Sequence, residues 1–427
     1  MPILVLGATG FIGQQVALSL QAAGHSVVGL GRDIRQASAR FPDIGWITRD
    51  LRALRQASDW LPLLEGVTVV VNCAGALQDG LRDDLVAVQR DAMLALQDAA
   101  RTRLPTPLIV QISAPENLGR AGTAFMATKL DADRALASSG LPHVILRPTV
   151  VVGRNAYGGT ALLRAIASFP GLLPLVDAAS PMNAVHVHDV AQAVVDAVQG
   201  RISPGSDLVL AGEPTRTVEE MARFYRRWLG LADAPVLRLP SSIASTLSYV
   251  ADLAGRLGWR SPLRSTAIRI SGIGVSLEPG RPTLAAPDPA LRLITEPAAV
   301  QDLWFARLYL LKPLMILTLS LFWIFSGLVP LLDPVTTSLR FGASMPAAVA
   351  LPVTILTSLL DITLGLAIIV QPWAKKAMLG MIAVSLAYLA GGTVIEPTLW
   401  LDPLGPLVKV LPSILLTLVI LAVLEER

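Results

Sequence analysis

Four long apolar segments fill the last third of this chain, between Leu308 and Leu424, and they leave the fold few choices. Each approaches the ~20 residues that cross a hydrocarbon core as helix, a structure that leaves no backbone group unpaired in lipid. The first, LYLLKPLMILTLSLFWIFSGLVPLL, carries only Lys312 near its start; the second, Ala347 to Val370, holds one charge, Asp361; the third, Ala377 to Ile395, holds none. The fourth, Val410 to Leu424, is shorter, and Lys409 can extend its reach by snorkelling. Charged residues are only 16% of the chain and crowd into its first two thirds, so the sequence reads as a water-facing domain joined to a membrane domain.

The formal charge is only +3 and the basic residues are scattered, which argues against nucleic acid as a partner. A lone Cys73 excludes an intrachain disulfide and fits a reducing compartment. MPILVLG already reads as a strand, so no cleaved signal peptide is expected. Lysine and arginine favour one set of loops: Arg292, Arg307 and Lys312 at the entry to the first segment, Lys375 and Lys376 between the second and third, and Arg427 at the tail. The opposite loops hold Asp333 with Arg340, then Glu396 and Asp402 with Lys409. The positive side predicts a multi-pass protein of the inner (cytoplasmic) membrane, with the N-terminal domain and the C-terminus in the cytoplasm.

At the N-terminus an apolar run without alternation, Pro2 to Leu6, predicts a parallel strand covered on both faces. It leads into Gly7-Ala8-Thr9-Gly10-Phe11-Ile12-Gly13 and an amphipathic helix from Gln14 to Ala23. In such a turn Gly7 permits the tight bend, Gly10 lets a pyrophosphate approach the backbone, and Gly13 lets helix lie on strand, while the helix N-terminus supplies amide donors. A second strand, His25 to Leu30, ends in Gly31-Arg32 rather than an acid. An arginine there pairs with a 2′-phosphate, favouring NADP over NAD, unless it is simply a solvated loop residue. The strand-like WITRDL places Asp50 and Leu51 where an adenine would lie, and VTVVVNCAGAL supplies another buried strand ending in Asn72-Cys73-Ala74-Gly75.

GATGFIG, Asp50-Leu51, NCAG, PLIVQIS ending at Ser113, ILRPTVVVG at 145–153 and AVHVHDVA at 184–191 together resemble the extended and atypical short-chain dehydrogenase/reductase family. Atypical NAD(P)H-binding members, including the accessory Rossmann subunit of respiratory complex I, are the nearest in style. The resemblance implies an α/β Rossmann fold, a doubly wound parallel sheet over a core of residues 1–200, with a small C-terminal substrate part at 201–300 that includes DLVLAGEPTRTVEEMARFYRRWLG. It also implies cofactor contacts at Thr9, Phe11, Ile12, Cys73, Ala74, Gly75, Pro148 and Val150. FSGLVPLLDP, LLDITLGLAIIV and WLDPLGPLVKVLPSILL resemble the DoxX-like membrane domain, which implies a four-helix transmembrane bundle over 301–427.

In that family a serine, a tyrosine and a lysine act together, the tyrosine as acid or base because the lysine lowers its pKa. Ser113 and Lys129 match the serine and the lysine, but Phe125 stands four residues before Lys129, on a helix expected over Gly122 to Ala137. Phe125 has no proton to give, which puts ordinary carbonyl reduction in doubt. Tyr157, in RNAYGGT, is either a substitute acid or a packed aromatic. Hydride delivery to a quinone or conjugated acceptor would need little acid help. His186 and His188 flank Val187 on an expected strand and so should point to opposite faces. No His, Cys, Asp or Glu spacing suggests a metal. Asp361, an acid deep in a membrane helix, marks either a cavity, partner or proton path, or a neutral packing contact. Ile243 to Trp259 has near-helical apolar spacing, suited to a membrane surface or to a core. The expected function is a membrane-anchored NADP(H)-dependent oxidoreductase acting on a lipophilic or quinone-like substrate at the cytoplasmic surface. The alternative is a non-catalytic NAD(P)H-binding structural or sensing module.

Overall fold

A computed structural model describes every residue except 1, 77, 82, 156, 278–279, 340–345, 404 and 425–427. Arg340 and Arg427, counted above in the loop charges, lie outside the described residues. The chain divides into two compact units, residues 1–255 with 261–307, and residues 256–260 with 308–427.

The first unit is built on an eight-stranded sheet. Its strands include β1 (Ile3–Leu6), β2 (Val27–Gly31), β3 (Gly45–Thr48), β4 (Val69–Asn72), β5 (Leu108–Ile112) and β6 (His143–Pro148). The order is Thr283–Ala286, Ser206–Gly212, β6, β5, β4, β1, β2, β3, and every neighbouring pair is parallel. Ile3 pairs with Val27 on one side and Val69 on the other, so the chain order reverses at β1. Ligands of open α/β sheets bind at this kind of switch point, beyond the carboxyl ends of the strands.

β1 lacks alternation because both its faces are buried. Ile3 and Val5 join Val16, Leu20, Val190 and Val194 on one side, while Leu4 and Leu6 join Trp60, Val70 and Leu96 on the other. Helix α1 (Phe11–Ala22) and the helix Val187–Val198 cover the first face; Ala92–Arg101 covers the second. A further core of Val152, Leu163, Leu175, Met221, Tyr225 and Leu293 gathers the segments after β6 into a smaller lobe. There the helix Val218–Trp228 starts with a reciprocal cap between Thr217 and Glu220.

The second unit is helical. Val300–Leu332, Ala348–Ala367 and Gln371–Ile395 are long and apolar enough to cross a membrane. The fourth apolar helix, Val410–Val423, has only 14 residues, a rise of about 21 Å against a hydrocarbon core of about 30 Å. Small residues set the packing: a Cβ on Gly327 would lie 2.2 Å from the Ser358 carbonyl oxygen, so only glycine lets those backbones meet. Asp361 accepts from Tyr388 Oη at 2.8 Å and from Ser326 Oγ at 3.1 Å, which binds three parts of the bundle together.

Candidate cofactor and active site

The turn after β1 is built for a close backbone approach. Gly7 has a φ of +69°, and a Cβ on it would sit 2.9 Å from Ala74 Cα. On Gly13 a Cβ would come within 2.2 Å of the Gly7 carbonyl oxygen. Gly10 caps α1 without a side-chain bond, and the first intrahelical bond runs from Gln14 N to Gly10 O at 2.9 Å. The amides of Phe11, Ile12 and Gly13 therefore precede the helical ladder and are presented outward as an anion cradle. The Asn72 side chain accepts from Ala74 N at 3.0 Å and donates to Gln111 at 2.9 Å, fixing the turn that brings Cys73, Ala74 and Gly75 beside Gly7. These residues fit a dinucleotide. Burial pushes the Cys73 thiol up to about 12, so it is no thiolate at neutral pH.

Arg32 follows β2 and is not a plain solvated cation: its guanidinium lies 2.8 Å from Asp83. Asp50 caps the short helix Leu51–Ala53 and holds Arg52 through bonds of 2.9 and 2.6 Å. Burial works against the Asp50 charge, yet the Arg52 hydrogen bonds and the Arg52 and Arg32 charges hold its carboxyl below the usual range. An open groove of about 790 Å³ runs past Asp50, Arg52, Arg55, Asp79 and Asp83. Leu51 is buried in the sheet's core.

Near the carboxyl end of β5, Lys129 rides on the helix Ala124–Ala137, nearly fully buried. Its ammonium donates to Ile112 O at 3.1 Å and lies 3.7 Å from where a Gly75 side chain would begin. Burial lowers its pKa, against the nearby Asp133 charge. Phe125, one turn earlier, joins the apolar cluster of Ala114, Leu118, Met126 and Val275. The position that resembles a catalytic tyrosine is therefore a packed hydrocarbon ring.

Ser113 is held by residues the sequence reading overlooked. Its hydroxyl donates to the buried Asp133 carboxylate, and Arg147 donates to the same carboxylate at 2.8 Å and to Ser113 Oγ at 3.4 Å. Arg147 also grips Asp207 at 2.7 and 2.9 Å. Asp133 and Arg147 are each only 2% exposed, and breaking such a pair strands a charge at a cost of about 3–5 kcal/mol. The signal was available: an arginine inside the apolar strand ILRP requires a buried partner. Pro148 ends β6 and Val150 begins a short strand, Val150–Val152, paired with Ala184–His186.

Tyr157 stands 52% exposed at the N-terminus of the helix Gly158–Ala167. One expectation changes: His186 and His188 do not point to opposite faces. The strand ends at His186 and a helix begins at Val187, so the rings lie 5.0 Å apart, edge to face. Period-two alternation fails because the backbone changes from strand to helix between them.

These two rings and Glu296 place three potential metal donors within 4.8 Å of one another. The His186 Nδ1 accepts from His188 N–H at 3.3 Å, and burial brings its pKa down to about 4. Among the described residues its buried Nε2 has no hydrogen-bond partner.

Parts of the chain match known families. Residues 3–211 match the NAD dependent epimerase/dehydratase family, and residues 320–418 match the DoxX-like family. The chain is 29% identical over 292 residues to a 3-diazoavenalumate denitrifying reductase of Streptomyces sp, covering 61% of this chain and 88% of that protein. It is 26% identical over 247 residues to an uncharacterized protein of Mycobacterium tuberculosis, of whose length it spans 25%. Among solved structures it resembles a dTDP-glucose 4,6-dehydratase of Bacillus anthracis in complex with NAD, at 18% identity and a TM-score of 0.48, over 56% of this chain and 84% of that one. The first unit carries a parallel Rossmann-like sheet whose sequence matches the epimerase/dehydratase model, and the second carries the DoxX-like match.

Proposed function

We propose that this chain, an epimerase/dehydratase-family domain joined to a DoxX-like domain, is a membrane-anchored NADP(H)-dependent oxidoreductase. Its substrate is a lipophilic or quinone-like acceptor at the cytoplasmic face of the inner membrane. The observation that carries the reading is Phe125: the lysine one turn on is kept and buried beside Gly75, while the proton-moving phenol is replaced by a packed ring. Such a site suits an acceptor whose reduced form takes its proton from water. The dinucleotide, when bound, supplies a hydride.

The protein's own part is binding and orientation. The amides of Phe11, Ile12 and Gly13 meet the pyrophosphate, Arg32 meets the 2′-phosphate, and Lys129 holds the ribose next to the nicotinamide. Ser113 and Tyr157 are the remaining polar candidates; the Asp133 and Arg147 bonds leave Ser113 little freedom to act as an acid. The Streptomyces relative, named as a reductase, supports reduction over epimerisation. The excess of lysine and arginine at Lys375 and Lys376 supports the cytoplasmic orientation.

A second reading is a non-catalytic NAD(P)H-binding structural or sensing module, and the clamp on Ser113 favours it. The deciding experiment measures the nucleotide carried by the purified protein and NADPH oxidation with quinone and simple carbonyl acceptors. Quinone turnover that disappears in Lys129→Ala supports the enzyme. Firm NADPH binding without turnover of any acceptor supports the module.

A further inference from the structure

The helix Ser241–Arg256 is amphipathic in reverse. Its inward side is made of small residues, Ala244, Ser248, Ala251 and Gly255, all buried. Its outward side carries large apolar residues: Ile243 is 41% exposed, Leu247 46%, Val250 65%, Leu253 59% and Tyr249 76%. At ~100° per residue, Ile243, Leu247, Val250 and Leu253 share one arc opposite the small residues. No charged residue falls within that arc; Asp252 lies beyond it and Arg256 at its edge. Exposing such a face to water would sacrifice about 25 cal/mol for every Å² it could bury.

The chain's continuation leads into the helical unit. Residues 256–260 belong to the membrane unit. Trp259 packs into the bundle's core and donates its indole N–H to Ile369 O at 2.6 Å, while Leu257 O accepts from Gln371 N at 3.0 Å. Ile369 and Gln371 lie where one membrane helix ends and the next begins, a few residues before Lys375 and Lys376. Trp259 is three residues beyond Arg256, so at ~3.6 Å per residue the helix ends within about 11 Å of that membrane boundary.

We propose that the helix Ser241–Arg256 lies in the lipid headgroup boundary, with Ile243, Leu247, Val250 and Leu253 against acyl chains and Arg256 among the headgroups. Helices with an uncharged apolar face and basic edges bind bilayers in this way. The inward side touches the other end of the problem. Asp252 accepts from Gln78 at 3.3 Å and from Arg264 at 3.2 Å, and Arg264 donates to Asp79 O at 3.0 Å. Asp79 lines the open groove at the cofactor edge.

The test uses the full chain in phosphatidylcholine liposomes, with bimane on Leu247→Cys, Val250→Cys and, as a water-facing control, Glu65→Cys; reaction of half-buried Cys73 in the parent gives the background. Doxyl-labelled phosphatidylcholine is expected to quench bimane at 247 and 250 and not at 65, with iodide doing the reverse. Quenching of 247 and 250 by iodide as at 65 overturns the proposal, and so does shielding from both quenchers, which would mean that protein covers the face. Quenching is read without turnover, so an absence of all turnover would sink the oxidoreductase reading while lipid contact stays decided by the fluorescence.

Discussion

Lys129 donates its ammonium to the carbonyl of Ile112 at 3.1 Å, one residue before Ser113. The bond pins the lysine to the carboxyl end of β5, while Phe125, one turn earlier, packs partly buried against Leu118, Met126 and Val275. In the reading proposed above, cofactor grip and proton transfer are separable.

Replacing Phe125 with Tyr tests that separation. If the pocket is a reductase lacking only its phenol, the variant gains turnover of a simple carbonyl compound, by ~100-fold where general acid help applies. NADPH affinity should stay nearly intact, because the ring position is unchanged. Unaltered, undetectable carbonyl turnover would favour the non-catalytic module.

The Arg32–Asp83 pair predicts opposite effects from its two halves. An exposed ion pair of this kind is worth about 0.2–1 kcal/mol, less than the ~1.5–3 kcal/mol of charged hydrogen bonds to a phosphate, so NADP(H) can draw Arg32 away from Asp83. Arg32→Ala should weaken NADPH by about 1.5–3 kcal/mol and leave NADH nearly untouched, and Asp83→Asn should tighten NADPH modestly. Titration calorimetry checks both; equal losses for the two nucleotides in Arg32→Ala would remove the 2′-phosphate assignment.

His186 makes stability pH-dependent. Burial first, then the charges of His188 and Arg292, bring its pKa from 6.5 to about 4, so the unfolded chain binds the proton more readily. The sign follows: this stability is fully present above pH 6.5 and is lost as pH falls towards 4. About 2 kcal/mol should be gone by pH 5. Thermal unfolding in detergent between pH 8 and pH 5 should show a falling Tm that is flatter in His186→Asn; parallel curves would contradict it.

The loop charges predict which loops face out. A cysteine placed beside Asp333 or Asp402 should react with an impermeant reagent added to intact cells, and one at Lys375 should not. The reverse pattern would invert the orientation.

What the sequence determined by itself is local or compositional. Charge-poor runs such as Ala377 to Ile395 require lipid or deep burial wherever they lie, because no arrangement hydrates them. The Gly7 and Gly13 turn is legible because its backbone contacts lie within a few residues, and β1 because an all-apolar strand needs cover on both faces. Tertiary structure alone decided the polar pairings. Arg32 meets Asp83 51 positions away, Arg147 meets Asp207 60 positions away, and Tyr388 meets Asp361 across two helices. Each is a directional bond whose partner is set by how β6, the 78–84 loop or the bundle comes together, and residue spacing along the chain carries no trace of it. His186 and His188 show the same limit at short range: one change from strand to helix at Val187 brought together two rings that alternation would have kept apart.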